Sequence, residues 1–179
     1  MRIISGTHKG RRLTAPKTLP VRPTTDFAKE ALFNILNNQF NFSEISLLDL
    51  FSGTGNISYE FASRGTKDII SVDTDLGCIQ YIEKTKELLS MPIKAVKADV
   101  FKYIDSKRHK TDIVFADPPY DLETPQLNIL VNKVFENDFL LPEGLLIIEH
   151  SKSTDMSESR NFEISRKYGN CVFSFFRMV

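Results

Sequence analysis

Apolar positions recur along the chain at two different spacings. Phe27, Ala31, Leu32, Ile35 and Leu36 fall on one face of a helix and predict a first helix over residues 26–38. Thr24, Thr25 and Asp26 precede it as cap candidates, and Pro16, Pro20 and Pro23 stiffen the approach. From residue 46 onward, short apolar runs at 46–51, 68–73, 94–98, 112–116 and 144–150 alternate with helical stretches at 56–64, 76–89, 100–107 and 125–135. That alternation is the pattern of a parallel sheet with crossover helices. Two last extended runs, 162–168 and 171–178, meet at Gly169-Asn170, a turn dipeptide that predicts a hairpin. The expected fold class is therefore α/β, with a mixed seven-stranded sheet.

A chain of 179 residues with 41% hydrophobic and 26% charged content matches one globular domain. No apolar run reaches the length of a membrane span, and the basic, polar amino terminus does not have the form of a secretion signal. Cys78 and Cys171 make no disulfide framework, and His8, His109 and His150 add no ligand spacing, so a reduced, metal-free, cytoplasmic protein is expected.

The net charge of zero conceals a segregation. Arg2, Lys9, Arg11, Arg12, Lys17 and Arg22 are balanced by no acid before residue 23, so the remainder of the chain is acidic. A basic end of this kind suits an anionic partner such as nucleic acid, or is simply a solvated tail. Short extended runs at 2–5 and 11–14, either side of Gly6 and Gly10, suggest a small basic hairpin over residues 1–24, ahead of a main domain at 25–179.

Asp49-Leu50-Phe51-Ser52-Gly53-Thr54-Gly55 leads from the first central strand into a helix. Glycines at such a turn let backbone approach a ligand, and this edge of an open α/β sheet is where ligands bind. Asp73 ends the second strand, where a carboxylate can accept from both hydroxyls of a ribose. A dinucleotide fingerprint would place a third glycine where Ser58 stands, which weakens a nicotinamide reading. Asp99 follows the third strand, placed either to meet an adenine amino group or to cap the next helix. Thr74 and Val100 adjoin these acids and complete the expected pocket. Several carboxylates and no lysine in the glycine loop suit a cationic, phosphate-free cofactor, which is the character of S-adenosylmethionine.

Asp117-Pro118-Pro119-Tyr120 follows the fourth strand and reaches the same edge. Two prolines stiffen the loop and supply no amide to engage its carbonyls. An exocyclic amine of a purine is a poor nucleophile, because its lone pair is delocalised into the ring. The Asp117 carboxylate and Pro118 carbonyl could hold the amine hydrogens and turn that lone pair toward a methyl donor, with Tyr120 stacked on the base.

These residues resemble the ribosomal RNA small subunit methyltransferase D family along nearly the whole chain. The matching segments are Met1 to Gly6, Lys9 to Leu13, Arg22-Pro23-Thr24-Thr25-Asp26, Glu30 to Leu36, the glycine loop, Ser63-Arg64-Gly65 and the Asp117 loop. The resemblance implies a class I, Rossmann-like methyltransferase fold, S-adenosylmethionine as cofactor, and methylation of the N2 amine of a guanine in 16S rRNA of the small subunit. It further implies that Arg22 and Thr24 border cofactor and RNA. Lys9, Arg11 and Arg12 of the basic hairpin would grip phosphates, and a one-domain chain without a surplus apolar stripe is most simply a monomer. Asp73 stands where the family usually has glutamate, and Lys84-Thr85-Lys86 replaces an asparagine usual in the following helix. Three other readings share these features: a DNA adenine-N6 methyltransferase, for which too little chain remains to form a recognition domain; a protein glutamine methyltransferase, for which asparagine suits the first loop position better; and a non-catalytic RNA-binding assembly factor.

Overall fold

The computed structural model describes residues 1–19, 24–106 and 109–178. The chain runs α1 (Asp26–Asn37), β1 (Ser46–Leu50), α2 (Asn56–Ser63), β2 (Asp68–Asp73), α3 (Leu76–Leu89), β3 (Ile93–Lys97), α4 (Val100–Ser106), β4 (Thr111–Ala116), α5 (Thr124–Glu136), β5 (Leu140–Ser151), β6 (Phe162–Tyr168) and β7 (Cys171–Arg177). One sheet takes the order β3-β2-β1-β4-β5-β7-β6. Its first five strands are parallel, and β7 runs antiparallel to both β5 and β6. The mixed seven-stranded sheet expected from the hydrophobic pattern is present.

Alternation along each strand sends neighbouring side chains to opposite faces. Leu47, Ile69, Ile113 and Ile147 pack with α1, α2 and α3, while Leu48, Ile70, Val114 and Ile148 pack with α4 and α5. The crossover helices change face between β3 and β4, so the adjacent strands β1 and β4 form the switch point of a doubly wound sheet. Ligand crevices open at such a point, beyond the carboxyl ends of the strands. No helix among the described residues is long and apolar enough to cross a membrane.

Three features depart from expectation by more than a residue or two at an element's end. The buried stripe of α1 is Ala28, Lys29, Leu32, Phe33 and Leu36, whereas Phe27 is 69% exposed. The stripe has rotated because a buried lysine belongs to it, which hydrophobic periodicity does not register. Strand β5 begins at Leu140 rather than at 144, pairing Thr111 with Leu140 before a register shift and continuing past Pro142 and a left-handed Glu143 at φ 64°. In the amino-terminal segment the hairpin is narrower than the two extended runs suggested. Arg2 and Arg12 make one antiparallel bridge, with Ile3 N donating to Arg11 O at 2.9 Å and Gly10 N to Ile3 O at 2.8 Å. Ile4 and Ser5 leave the ladder, because their amides donate to Glu60 Oε2 and Oε1 at 2.8 and 3.0 Å.

That segment is fastened to the end of α2. Thr7 N donates to Ser63 O at 2.7 Å and Ser63 Oγ to Ser5 O at 2.6 Å. Gly6 is required at the crossing: its φ is +82°, and a Cβ there would stand 1.8 Å from the Ser63 carbonyl oxygen. Ile3 and Leu13 are buried in the same core as α1.

Candidate active site

The loop after β1 turns sharply through three left-handed residues, Phe51 at φ 57°, Gly53 at 51° and Gly55 at 82°. A non-glycine residue pays for that conformation. The loop is held in place as Ser52 N donates to Val72 O at 3.0 Å and Gly55 N to Ser52 O at 2.8 Å. On the neighbouring strand, Asp117 N donates to Leu50 O at 3.3 Å. The glycine loop and the Asp117 loop therefore share one rim of the sheet. Between them lies a cavity of about 610 Å³ that both loops line.

Its acids come from four strand ends. Asp73 accepts from Gly53 N through Oδ2 and from Asp75 N through Oδ1, each at 2.8 Å, so two backbone amides fix the carboxylate plane. Asp49 faces inward one pleat before the loop and is buried. Ser58 Oγ donates to its Oδ2 at 2.5 Å, and Ser58 Oγ and Ser71 Oγ lie 2.7 Å apart. Burial pushes the Asp49 carboxyl up to about 7, against the Ser58 hydrogen bonds that favour its ionised form; the charge of Asp73 adds to the rise. Asp99 caps α4, accepting from Lys102 N at 2.9 Å, and it also lines the cavity. Asp75 caps α3 in the same way through Cys78 N at 2.8 Å.

Behind the cavity runs a chain of buried polar groups. Thr24 Oγ1 donates to Glu149 Oε2 at 2.7 Å, and Asn56 Nδ2 donates to Thr24 O at 3.3 Å. Lys29 Nζ donates to Asn56 Oδ1 at 2.9 Å and to Arg2 O at 2.5 Å, and lies 3.4 Å from Glu60 Oε2. Burial lowers the affinity of Lys29 for its proton, and Glu60 opposes that loss. Arg64 Nε donates to Glu60 Oε1 at 2.9 Å while its guanidinium lies over the Phe33 ring. A buried ion pair survives only when further hydrogen bonds satisfy both partners, and Glu60 has them.

Of the residues singled out from sequence, Thr24, Asp49, Phe51, Ser52, Gly53, Thr54, Asp73, Thr74, Asp99, Val100, Asp117, Pro118, Pro119 and Tyr120 all line the cavity. Gly55 does not. It caps α2, and a Cβ there would meet Ile82 and Tyr59 at 3.0 Å, so its work is to turn the chain against the core. Arg22 lies outside the described residues. Arg11 and Arg12 are exposed, and Lys9 lines a different cavity. Asn56, Ile57, Asp75, Cys78 and Phe115 line the active-site cavity without having been anticipated. Phe115 could have been found as Asp49 was, one pleat inside a strand end. Asp75 and Cys78 follow the Asp73 loop, and Asn56 opens the helix behind the glycine loop.

The fold and the cavity at its switch point define a class I, Rossmann-like methyltransferase architecture. A family model described as Conserved hypothetical protein 95 matches residues 1–177, and the chain belongs to that family, the ribosomal RNA small subunit methyltransferase D family. It is 28% identical over 181 residues to the Ribosomal RNA small subunit methyltransferase D of Haemophilus influenzae, covering 98% of this chain and 91% of that protein. Among solved structures, a hypothetical protein of Thermus thermophilus superposes with a TM-score of 0.85 at 21% identity, covering 99% of both chains. The Thermus thermophilus 16S rRNA N2 methyltransferase RsmC, in complex with AdoMet and guanosine, superposes with a TM-score of 0.72 at 18% identity, covering 90% of this chain and 45% of that one.

Proposed function

We propose that the protein transfers a methyl group from S-adenosylmethionine to the exocyclic N2 amine of a guanine in 16S rRNA of the small ribosomal subunit. The observation that carries this reading is the meeting of the glycine loop and the Asp117 loop on one cavity, tied by the Asp117 N to Leu50 O bond. Family membership and the name of the Haemophilus influenzae relative support rRNA as the substrate class.

The lining fits the cofactor. Among the described residues it contains Asp49, Asp73, Asp75, Asp99 and Asp117 and no lysine, arginine or histidine, which suits a ligand carrying an ammonium and a sulfonium. Ser52 Oγ is buried with no hydrogen-bond partner among the described residues and lines the same cavity, so a polar ligand would satisfy it. Asp73, its plane fixed by two amides, is placed to accept from ribose hydroxyls. Asp99 meets the adenine end beside Val100, and Asp49 meets the positive charge, with Thr24, Phe51, Gly53, Thr54 and Thr74 completing the walls. When bound, S-adenosylmethionine supplies a methyl group already activated by its sulfonium.

The remaining work is orientation. The Asp117 carboxylate and the Pro118 carbonyl accept the two amine hydrogens, so the nitrogen lone pair points at the methyl; Pro119 keeps the loop stiff. The amine proton leaves as the new N–C bond forms, and Asp117 is the acceptor nearest to it. Tyr120, 46% exposed at the rim, stacks on the guanine once it has left its own stack. Residues 1–24 act as an RNA-gripping extension of a methyltransferase domain at 25–179, with Lys9, Arg11, Arg12 and Arg22 meeting phosphates. In this reading the enzyme works as a monomer in the cytoplasm. Asp117→Ala is expected to lower methyl transfer to unmodified small subunits by at least about a thousandfold, while calorimetry finds S-adenosylmethionine affinity within about twofold of native. Retained transfer would reject the acceptor role of Asp117.

A further inference from the structure

A second cavity, of about 470 Å³, lies between the amino-terminal segment and α1. Arg2, Lys9 and Arg64 supply three cations to its wall, and α1 supplies Glu30, Asn34 and Asn37. The three α1 residues lie four and three positions apart, which places them on one helical face. An asparagine amide both donates and accepts, a carboxylate accepts, and a guanidinium or ammonium donates. Together they match the polar edge of a base, a ribose hydroxyl and a phosphate. The lining contains no aromatic side chain among the described residues, so hydrogen bonding rather than stacking is what it offers.

An exposed helical face with two asparagines is ordinary surface by itself. The wall shared with the active site sets this one apart. Lys29 and Glu60 are fully buried, and the Lys29 ammonium donates to the carbonyl of Arg2, which lines the second cavity, and to the side chain of Asn56, which lines the first. A single ammonium therefore bonds to one residue from each wall. Glu60 fixes the backbone of Ile4 and Ser5, also in the second wall, so its position relative to the active site is rigid. Rigid support of this kind is what a precisely placed binding site requires.

We infer that the second cavity takes a phosphate-bearing ribonucleotide of the substrate RNA, close to the guanine that enters the active site. Arg2 and Lys9 meet its phosphate, and Glu30, Asn34 and Asn37 read its base edge and sugar hydroxyl. Single-stranded RNA segments present such edges free of stacking, and the 2′-hydroxyl gives a further partner. The inference rests on RNA being the substrate.

The test is the double variant Asn34→Ala/Asn37→Ala. Both positions are exposed and alanine favours a helix, so the fold is retained. With unmodified small subunits, KM is expected to rise about tenfold while kcat and S-adenosylmethionine affinity stay within about twofold. The same substitutions in an Asp117→Ala background should weaken subunit binding by about tenfold, measured without any methyl transfer. Arg2→Ala/Lys9→Ala should lessen the salt dependence of that binding by about two counterions. Unchanged KM and subunit affinity in the asparagine variant overturn the inference even if methyl transfer proceeds, and an unchanged salt dependence overturns the phosphate contact. If subunit binding weakens as expected but the native protein transfers no methyl, the cavity stands and the methylation reading falls. A native protein that does not bind the subunit overturns both.

Discussion

The two faces of the sheet are made of different materials. Against α1, α2 and α3 the protein buries Lys29, Asp49, Asn56, Ser58, Glu60 and Ser71 among its apolar side chains. Against α4 and α5 the inner positions, from Leu48 and Val72 to Leu130, Val131 and Phe176, are apolar. His150 and Ser174, 2.7 Å apart at Nε2 and Oγ, are a polar exception on that side, and burial lowers the affinity of His150 for a proton. Apolar packing is non-directional and gives stability. A hydrogen-bonded network gives position, and fails if any member is lost. The polar face backs both cavities and holds the amino-terminal segment, so the division of material follows a division of labour.

Cutting one group from each face separates the two roles. Glu60→Ala leaves the Lys29 ammonium buried without its carboxylate and orphans the Ile4 and Ser5 amides, for a loss of about 3 to 5 kcal/mol. Leu130→Ala opens an apolar cavity and costs about 2 to 5 kcal/mol by denaturant unfolding. The two losses of stability are similar, and activity tells them apart. At a temperature where both variants remain folded, Leu130→Ala is expected to keep native KM for the small subunit, while Glu60→Ala raises it. Equal KM values would mean that the polar face does nothing more than the apolar one.

A smaller effect sharpens the role of Asp49. Its carboxyl ionises at 3.8 in the ordinary case but at about 7 in the folded protein. The folded state therefore binds more protons between those values, and stability falls as pH climbs from about 4 to 7. Asp49→Asn has no such proton to lose, so its stability is expected to be flatter over that window. A cationic ligand in the cavity favours the ionised form, so S-adenosylmethionine affinity should increase from pH 6 to pH 8 in the native protein. In Asp49→Asn that increase should vanish and affinity at pH 8 should drop by about tenfold. Identical calorimetric titrations of the two proteins would remove Asp49 from the site.

Much of this is legible in the chain itself, and the limits have physical causes. Strand ends and the loops that follow them are written in consecutive residues, which is why Asp73, Asp117 and the glycine loop fall on one rim as expected. The buried network is not legible. Lys29 sits in a helical pattern whose charged residues ordinarily face water, and its partners Asn56 and Glu60 are far from it along the chain. Phe27 shows the converse: a large apolar residue in the expected core stripe that the structure leaves 69% exposed, because the stripe turned to bury Lys29. Glu60 also explains the short amino-terminal hairpin, since it takes the amides that a longer ladder would have used. Such pairings depend on the folded arrangement and leave no local signature.

The most direct test of the whole reading is nucleoside mass spectrometry of 16S rRNA from unmodified small subunits incubated with the protein and isotopically labelled S-adenosylmethionine. Labelled N2-methylguanosine is expected at a single position, and is absent with Asp117→Ala. A label found on adenine, on protein or nowhere would contradict it.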